Sequence, residues 1–243
     1  MEDDAATSGV DLSLLGGFKL SIAGTPRAVP GPGQRVLAWL ALAGGTQHRR
    51  YLAGTLWPDK NERRAGASLR AALWGLRQVD PGLVEATDQS VALGPGVRHD
   101  IDGFQVWSDR VIDGRGRLDD LDADWIDAGY QLLPGWYEDW LEPERERTRQ
   151  RWLHAIEAVV AELLQLRAYA RAVNVGLAVV AADPLRESAH RLVILAHLAE
   201  GNTVEARRQY ERCRHHLDAE IGVEPSPRLT ELLAATLTRT GRS

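Results

Sequence analysis

Seven bases lie between His48 and Arg77 (Arg49, Arg50, Lys60, Arg63, Arg64, Arg70 and Arg77) against two acids, Asp59 and Glu62. That is a local charge of +5 in a chain whose net charge is −5, so the remainder carries −10. A local excess of this kind neutralises phosphates, and the planar guanidinium adds a fork that meets a guanine edge bidentately. A solvated arginine-rich helix face gives the same count. The choice therefore depends on the elements that carry these residues.

Other residue types with chemical potential do not assemble. His215 and His216 are adjacent and point in different directions on a helix, and His190 and His197 lack a cysteine or carboxylate completing a set. Asp120-Leu121-Asp122-Ala123-Asp124 imitates the start of a calcium loop, but Trp125 stands at the glycine position and Gln131 at that of the bidentate glutamate. Cys213 has no histidine partner in a catalytic pattern and reads as a small core residue. The sequence also lacks a Gly-x-x-x-x-Gly-Lys-Ser/Thr phosphate loop. No enzyme, metal or cofactor is expected.

At 243 residues the chain has room for two ordinary domains, each able to bury a core without a disulfide or structural metal. Lysine occurs only at Lys19 and Lys60, while arginine supplies the other 27 bases, the imbalance of a GC-rich genome. No apolar run reaches the roughly 20 residues of a membrane span, and the acidic start, Met1–Gly9, suits neither a secretory signal nor a transit peptide. A mobile tail and a soluble, cytoplasmic, nucleoid-associated protein are expected.

The basic stretch sits within a recognisable order of elements. Val10–Leu15 and Phe18–Ile22 alternate as strands, with a third around Ala28-Val29. Gln34–Ala43 predicts a helix closed by Gly44-Gly45, and Arg49–Leu56 a second one, stopped by Trp57-Pro58. In a third, Arg64–Gln78, Leu69, Leu73 and Leu76 line one face while Arg63, Arg70, Trp74 and Arg77 fall largely on the other. Leu83–Thr87 and Val91–Leu93 then read as a hairpin. This is the order of a winged helix-turn-helix, whose third helix fits the major groove while the hairpin and the second helix touch phosphates.

From Phe104 onward the pattern is helical: Phe104–Val111, Leu121–Leu133, Glu144–Leu166 and Glu187–Ala199. Arg171-Ala172 and Glu205-Ala206 open equivalent helices 34 residues apart, which is the tetratricopeptide period. About three helix pairs are expected. The aromatic group Trp125, Tyr130, Trp136, Tyr137 and Trp140 either caps the first repeat or lines a ligand groove, the cap being the commoner arrangement.

These residues resemble the Streptomyces antibiotic regulatory proteins, which join an OmpR-like winged helix to a bacterial transcriptional activation domain. The resemblance rests on Leu14-Leu15-Gly16, Gln34-Arg35-Val36-Leu37-Ala38, Leu52 with Leu56-Trp57, and Ser68-Leu69-Arg70 with Leu76-Arg77. Further along, it rests on Leu133-Pro134-Gly135-Trp136-Tyr137-Glu138-Asp139-Trp140, Glu144-Arg145-Glu146-Arg147, Asp183-Pro184-Leu185-Arg186-Glu187 and Glu220-Ile221-Gly222-Val223-Glu224-Pro225-Ser226-Pro227. It implies an α+β winged helix-turn-helix domain over 10–102, after a tail at 1–9, and an all-α tetratricopeptide-like domain over 103–243. It also implies an activator that binds promoter direct repeats in double-stranded DNA, works in pairs there as a possible homodimer, and recruits RNA polymerase.

On that basis Arg64–Gln78 is the recognition helix and Leu83–Leu93 the wing. The loop Pro58–Arg63, with Pro58, Asp59, Lys60, Asn61 and Glu62, faces polymerase. Arg70 and Arg77 are expected at base edges and Arg63, Arg64, Arg49 and Arg50 at phosphates, with Ser68 and Trp74 completing the DNA-binding set. Gly66 and Gly75 depart from the pattern, each costing about 1 kcal/mol of helix stability relative to Ala. Asp88 brings an acid to the wing tip, and His48 replaces the usual Ser or Thr cap before the second helix. A competing interpretation is a tetratricopeptide-type adaptor whose winged helix binds protein.

Overall fold

The computed structural model describes residues 9–116, 125 and 131–232. The chain divides into two compact units, residues 1–106 with 128–149, and 107–127 with 150–243.

The first unit opens as the alternation demands. In β1 (Val10–Ser13) Val10 and Leu12 are buried while Asp11 and Ser13 are not. β2 (Lys19–Ile22) pairs with it antiparallel, Leu12 facing Leu20. The third strand lies earlier than the sequence suggests: β3 is Thr25–Pro26, paired with Ser21 and Ile22, and Val29 instead enters the core. Ala23 and Gly24 both take left-handed φ (49° and 74°), the tight turn that sends the chain straight back.

α1 (Gly31–Ala43) starts three residues before the expected Gln34, because Pro32 sits in a first turn whose N–H groups need no helical partner. It ends at Gly44, φ 62°. Two strands were not legible: β4 (Thr46–His48) and β7 (Val97–His99). Both are three residues long, and β4 is entirely polar, so neither carries a periodic signal. β4 runs into α2 (Arg49–Leu56) and pairs with β6 (Ser90–Leu93), which pairs in turn with β5 (Val84–Ala86). β7 lies parallel to β1 and completes a second sheet in the order β3-β2-β1-β7. α3 (Glu62–Val79) buries Ala65, Leu69, Ala72, Leu73 and Leu76 in the common core.

α4 (Asp100–Ile112) begins with a carboxylate that accepts the Leu14 and Leu15 amides at 2.9 and 3.0 Å. The expected helix Leu121–Leu133 is not helical at its described end. Leu132 bridges to Leu15, and the Leu133 amide donates to the Leu14 carbonyl at 2.9 Å, pairing the chain just beyond the end of β1. Residues 117–124 and 126–130, which include the calcium-like segment and Tyr130, lie outside the described residues. Arg145 fixes the loop after Leu132. Its guanidinium donates to the carbonyls of Leu132, Leu133 and Trp136 at 3.0, 2.6 and 2.7 Å, holding Leu133 at φ 45°.

The described members of the aromatic group do not gather into one cluster, although Trp136 and Tyr137 border a hollow of about 380 Å³ with Pro134 and Arg145. Trp136 stacks on Phe18 and Trp140 packs edge-on against Trp39, both within the first unit. Tyr137 is 96% exposed, and Trp125 stacks on Trp107 in the second unit.

The helical run continues as α5 (Glu142–Gln165), α6 (Tyr169–Ala182), α7 (Glu187–Ala199) and α8 (Thr203–Ile221), with residues 227–232 also helical. Ala172 and Ala206, the 34-residue equivalents, are both fully buried. At Gly176 an added Cβ would meet Val193 Cγ2 at 2.7 Å, so α6 and α7 approach as closely as a glycine allows. Two of the sequence motifs meet here: Glu187 accepts the Ser226 amide at 2.8 Å, after Gly222 has ended α8 in the left-handed conformation. The fold is a winged helix followed by a tetratricopeptide-like helical unit.

Candidate nucleic-acid interface

The position of α2 is set by its two neighbours. His48 caps it, Nδ1 accepting the Arg50 amide at 3.3 Å, so the histidine fills the role the missing Ser or Thr would have played. The Arg49 amide donates to the Gln89 carbonyl at 2.9 Å and its Nη1 to the Thr87 carbonyl at 2.7 Å, tying the start of α2 to the β5–β6 turn. That turn is closed by the Thr87 and Ser90 hydroxyls, 2.8 Å apart. The wing therefore has a base beside the acid at its tip.

α3 is capped by Asn61, whose Oδ1 accepts the Arg64 amide at 3.0 Å, and Glu62 stands in its first turn where a carboxylate suits the helix dipole. This corrects the expected loop: Glu62 and Arg63 belong to the helix, leaving Pro58, Asp59, Lys60 and Asn61 as the α2–α3 connection. Arg77 falls in the last turn, the favourable end for a cation.

Between α2, α3 and the wing lies a groove of about 950 Å³ lined by Arg49, Arg50, Pro58, Lys60, Asn61, Arg63, Arg64 and Arg70, with Glu62 and Asp88 as its acids. Arg50 pairs with Glu62 at 2.5 Å, both largely exposed, an arrangement of small energetic worth that orients more than it stabilises. No carboxylate lies within ion-pair distance of Arg63, Arg64, Arg70 or Arg77 among the described residues, and all four are exposed. Several arginines elsewhere are matched, as in Arg98 with Asp11 at 2.9 Å and Arg186 with Glu157 at 2.7 Å.

Three of the expected DNA-binding residues, Ser68, Trp74 and Arg77, do not line the groove. Ser68 lies half-buried on the flank of α3 and accepts a hydrogen bond from Lys60 Nζ at 2.7 Å. Trp74, 68% exposed, borders an apolar hollow of about 390 Å³ formed with Pro30, Pro32, Trp57, Ala71 and Gly75. Sequence reasoning missed Arg49 as the wing's anchor and Arg145 as a loop clamp. Both depend on carbonyls distant in sequence or freed by irregular backbone, and no spacing rule registers them.

The remaining ionisable groups are structural. Burial raises the Asp100 carboxyl above its ordinary value despite the amides it accepts. Burial pushes the Cys213 thiol up to about 12, which leaves it protonated and inert. His190 is fully buried, bonded through Nε2 to the Pro184 carbonyl and through Nδ1 to Gln209, and burial holds its imidazole below the usual value. Among the described residues no group of three His, Cys, Asp or Glu is placed to hold a metal ion, and no helix is long and apolar enough to cross a membrane.

A winged helix with an unpaired basic face on its third helix, followed by helical repeats, has the architecture of a two-part transcription regulator. Residues 118–237 match the bacterial transcriptional activator domain. Regulatory protein AfsR of Streptomyces coelicolor is 28% identical over 242 residues, covering 95% of this chain and 24% of the relative. AfsR of Streptomyces griseus is 27% identical over 217 residues, 83% of this chain and 22% of the relative, so the chain spans about a quarter of these proteins' length. Among solved structures, Mycobacterium tuberculosis EmbR, in complex with a low affinity phosphopeptide, shares the fold with a TM-score of 0.73 at 21% identity, over 95% of this chain and 65% of that one. The second half of the chain thus carries a bacterial transcriptional activator domain, and the chain as a whole is similar to part of the AfsR regulatory proteins.

Proposed function

We propose that this chain is a sequence-specific DNA-binding activator that engages direct repeats in promoter DNA through its winged helix and recruits RNA polymerase. One observation carries the reading: Arg63, Arg64, Arg70 and Arg77 are exposed without carboxylate partners on one helix, in a chain where many other arginines are paired. Leaving four guanidiniums unmatched within five helical turns costs repulsion, and a polyanion relieves it. Arg70 and Arg77 reach base edges. Arg63, Arg64 and Arg50 meet phosphates, as do the donors that Arg49 does not spend on the wing. Pro58, Asp59, Lys60, Asn61 and Glu62 face polymerase, and the helical unit supports pairing of two copies on adjacent repeats.

A selection from random duplex DNA at about 150 mM salt tests this, because screening at that concentration already weakens non-specific attraction. An enriched motif, repeated in direct orientation, is expected. Recovery of no preferred sequence would overturn the reading. The second reading, a protein-binding adaptor, draws on the exposure of Trp74 beside an apolar hollow. It requires DNA affinity that is weak and without sequence preference, whereas the activator binds a preferred duplex with a steep salt dependence.

A further inference from the structure

Trp74 is the largest side chain on the outward face of α3, and that face is otherwise occupied by charge or by small residues. With 3.6 residues per turn, positions 70, 71, 77 and 78 lie one turn from Trp74, which places the indole between Arg70 and Arg77 with Ala71 and Gln78 as neutral neighbours. The indole is 68% exposed, although the apolar hollow bordered by Pro30, Pro32 and Ala71 lies beside it. A surface tryptophan is a costly residue to leave in water, and here a cation stands one turn away on either side, Arg70 and Arg77. The chemistry that satisfies both is a polyanion with apolar points on its surface. Duplex DNA is that surface: its phosphates carry the charge, and the 5-methyl groups of thymine are the apolar points in its major groove.

We propose that Trp74 is a specificity-determining residue that reads a thymine methyl, adjacent to a guanine read by Arg70 one turn earlier on the same face. This rests on the DNA-binding reading above and deepens it. Arg70 lies four residues before Trp74, about 6 Å along the helix axis, or roughly two base-pair steps at 3.4 Å each. The operator half-site therefore contains a guanine with a thymine one or two positions away, and replacing that thymine removes apolar contact without touching any hydrogen bond. Ala67, one turn before Arg70, has no side chain long enough to hold the helix off the bases.

The test uses the full chain and the duplex enriched from random DNA, with each thymine replaced in turn by uracil, a change that deletes one methyl group and nothing else. At one thymine near the guanine that Arg70→Ala makes irrelevant, uracil is expected to weaken binding about three- to fivefold, the loss of one buried methyl. In the Trp74→Ala protein, which folds because the side chain is exposed, the same replacement is expected to have no effect. A preferred duplex at which no thymine responds to uracil, or at which Trp74→Ala responds as fully as the wild type, overturns the inference and leaves the DNA-binding reading standing. If Trp74→Ala binds that duplex as tightly as the wild type, the indole serves a protein partner and the inference is likewise overturned. Failure to enrich any duplex removes the DNA-binding reading itself, and this inference with it.

Discussion

The Arg49 guanidinium donates to the Thr87 carbonyl at 2.7 Å, across 38 residues of sequence, while the Arg49 amide donates to Gln89 at 2.9 Å. The first residue of α2 thus fixes the turn of the wing, and the wing's height beside α3 is set from α2. Arg49→Ala is expected to speed hydrogen exchange at Asp88 and Gln89 and to cost about 0.5–1 kcal/mol of stability. The salt slope of DNA binding should also fall by about one phosphate equivalent. Arg49→Lys keeps the charge but not the fork, so it should restore the slope and leave the turn unprotected. Equal exchange rates in all three proteins would show that the bond does not hold the turn.

Asp88 is the acid of the wing tip and lines the basic groove. Removing it should help a polyanion approach: Asp88→Lys is expected to strengthen binding to random duplex and steepen the salt dependence by about one unit. An unchanged slope would mean that the wing tip stays clear of the backbone.

Much of this arrangement was legible and some was not, for identifiable reasons. α2 and α7 begin and end where the sequence suggested; Trp57-Pro58 stops the first, and Asp183-Pro184 breaks the chain ahead of the second. The outward set of α3 followed from the 3.6-residue period, which also shows why Ser68 fell away from it: the period places it on the flank, beside Lys60. β4 and β7 were missed because three residues make no pattern. The end of the expected helix at Leu133 is not helical because Leu132 and Leu133 pair with the backbone at Leu14 and Leu15, just past β1, rather than following a helix period.

Glycines in α3 and the wing behave in opposite ways. Nothing lies within 4 Å of a Cβ built at Gly75, so Gly75→Ala should stabilise the first unit by about 1 kcal/mol through helix propensity alone, raising its melting temperature. At Gly94 the same Cβ would lie 1.7 Å from the Gly82 carbonyl oxygen, and Gly94→Ala should prevent the β5–β6 hairpin from closing. Thermal unfolding of the two variants checks both; destabilisation by Gly75→Ala would contradict the first.

The helical unit should loosen in mild acid. Burial holds His190 below its usual value, with the charges of His216 and Arg212 acting in the same direction, although the bonds to Pro184 and Gln209 oppose them. Its folded value therefore lies below the ~6.5 of an unfolded histidine, so the unfolded chain binds more protons below that pH. Stability is complete above about pH 6.5 and falls as the pH drops through it. Glu157 acts lower down. Burial pulls its carboxyl upward, but Arg186 and the Ser188 hydroxyl hold it below the ordinary value, so its contribution is present above about pH 4.3 and is lost under it. Unfolding midpoints at pH 7.5 and 5.5 should differ in the wild type and differ less in His190→Gln. Identical differences in the two would show that another group is responsible.

The central claim is that the unpaired arginines of α3 read sequence, and Arg70 tests it most directly. The measurement is the affinity of wild type and Arg70→Ala for the enriched duplex and for a random duplex of equal length at the same salt. A loss of about 1–3 kcal/mol on the enriched duplex, with little change on the random one, is expected of a bidentate guanine contact. An equal loss on both would mean that Arg70 touches only phosphate and would contradict the account.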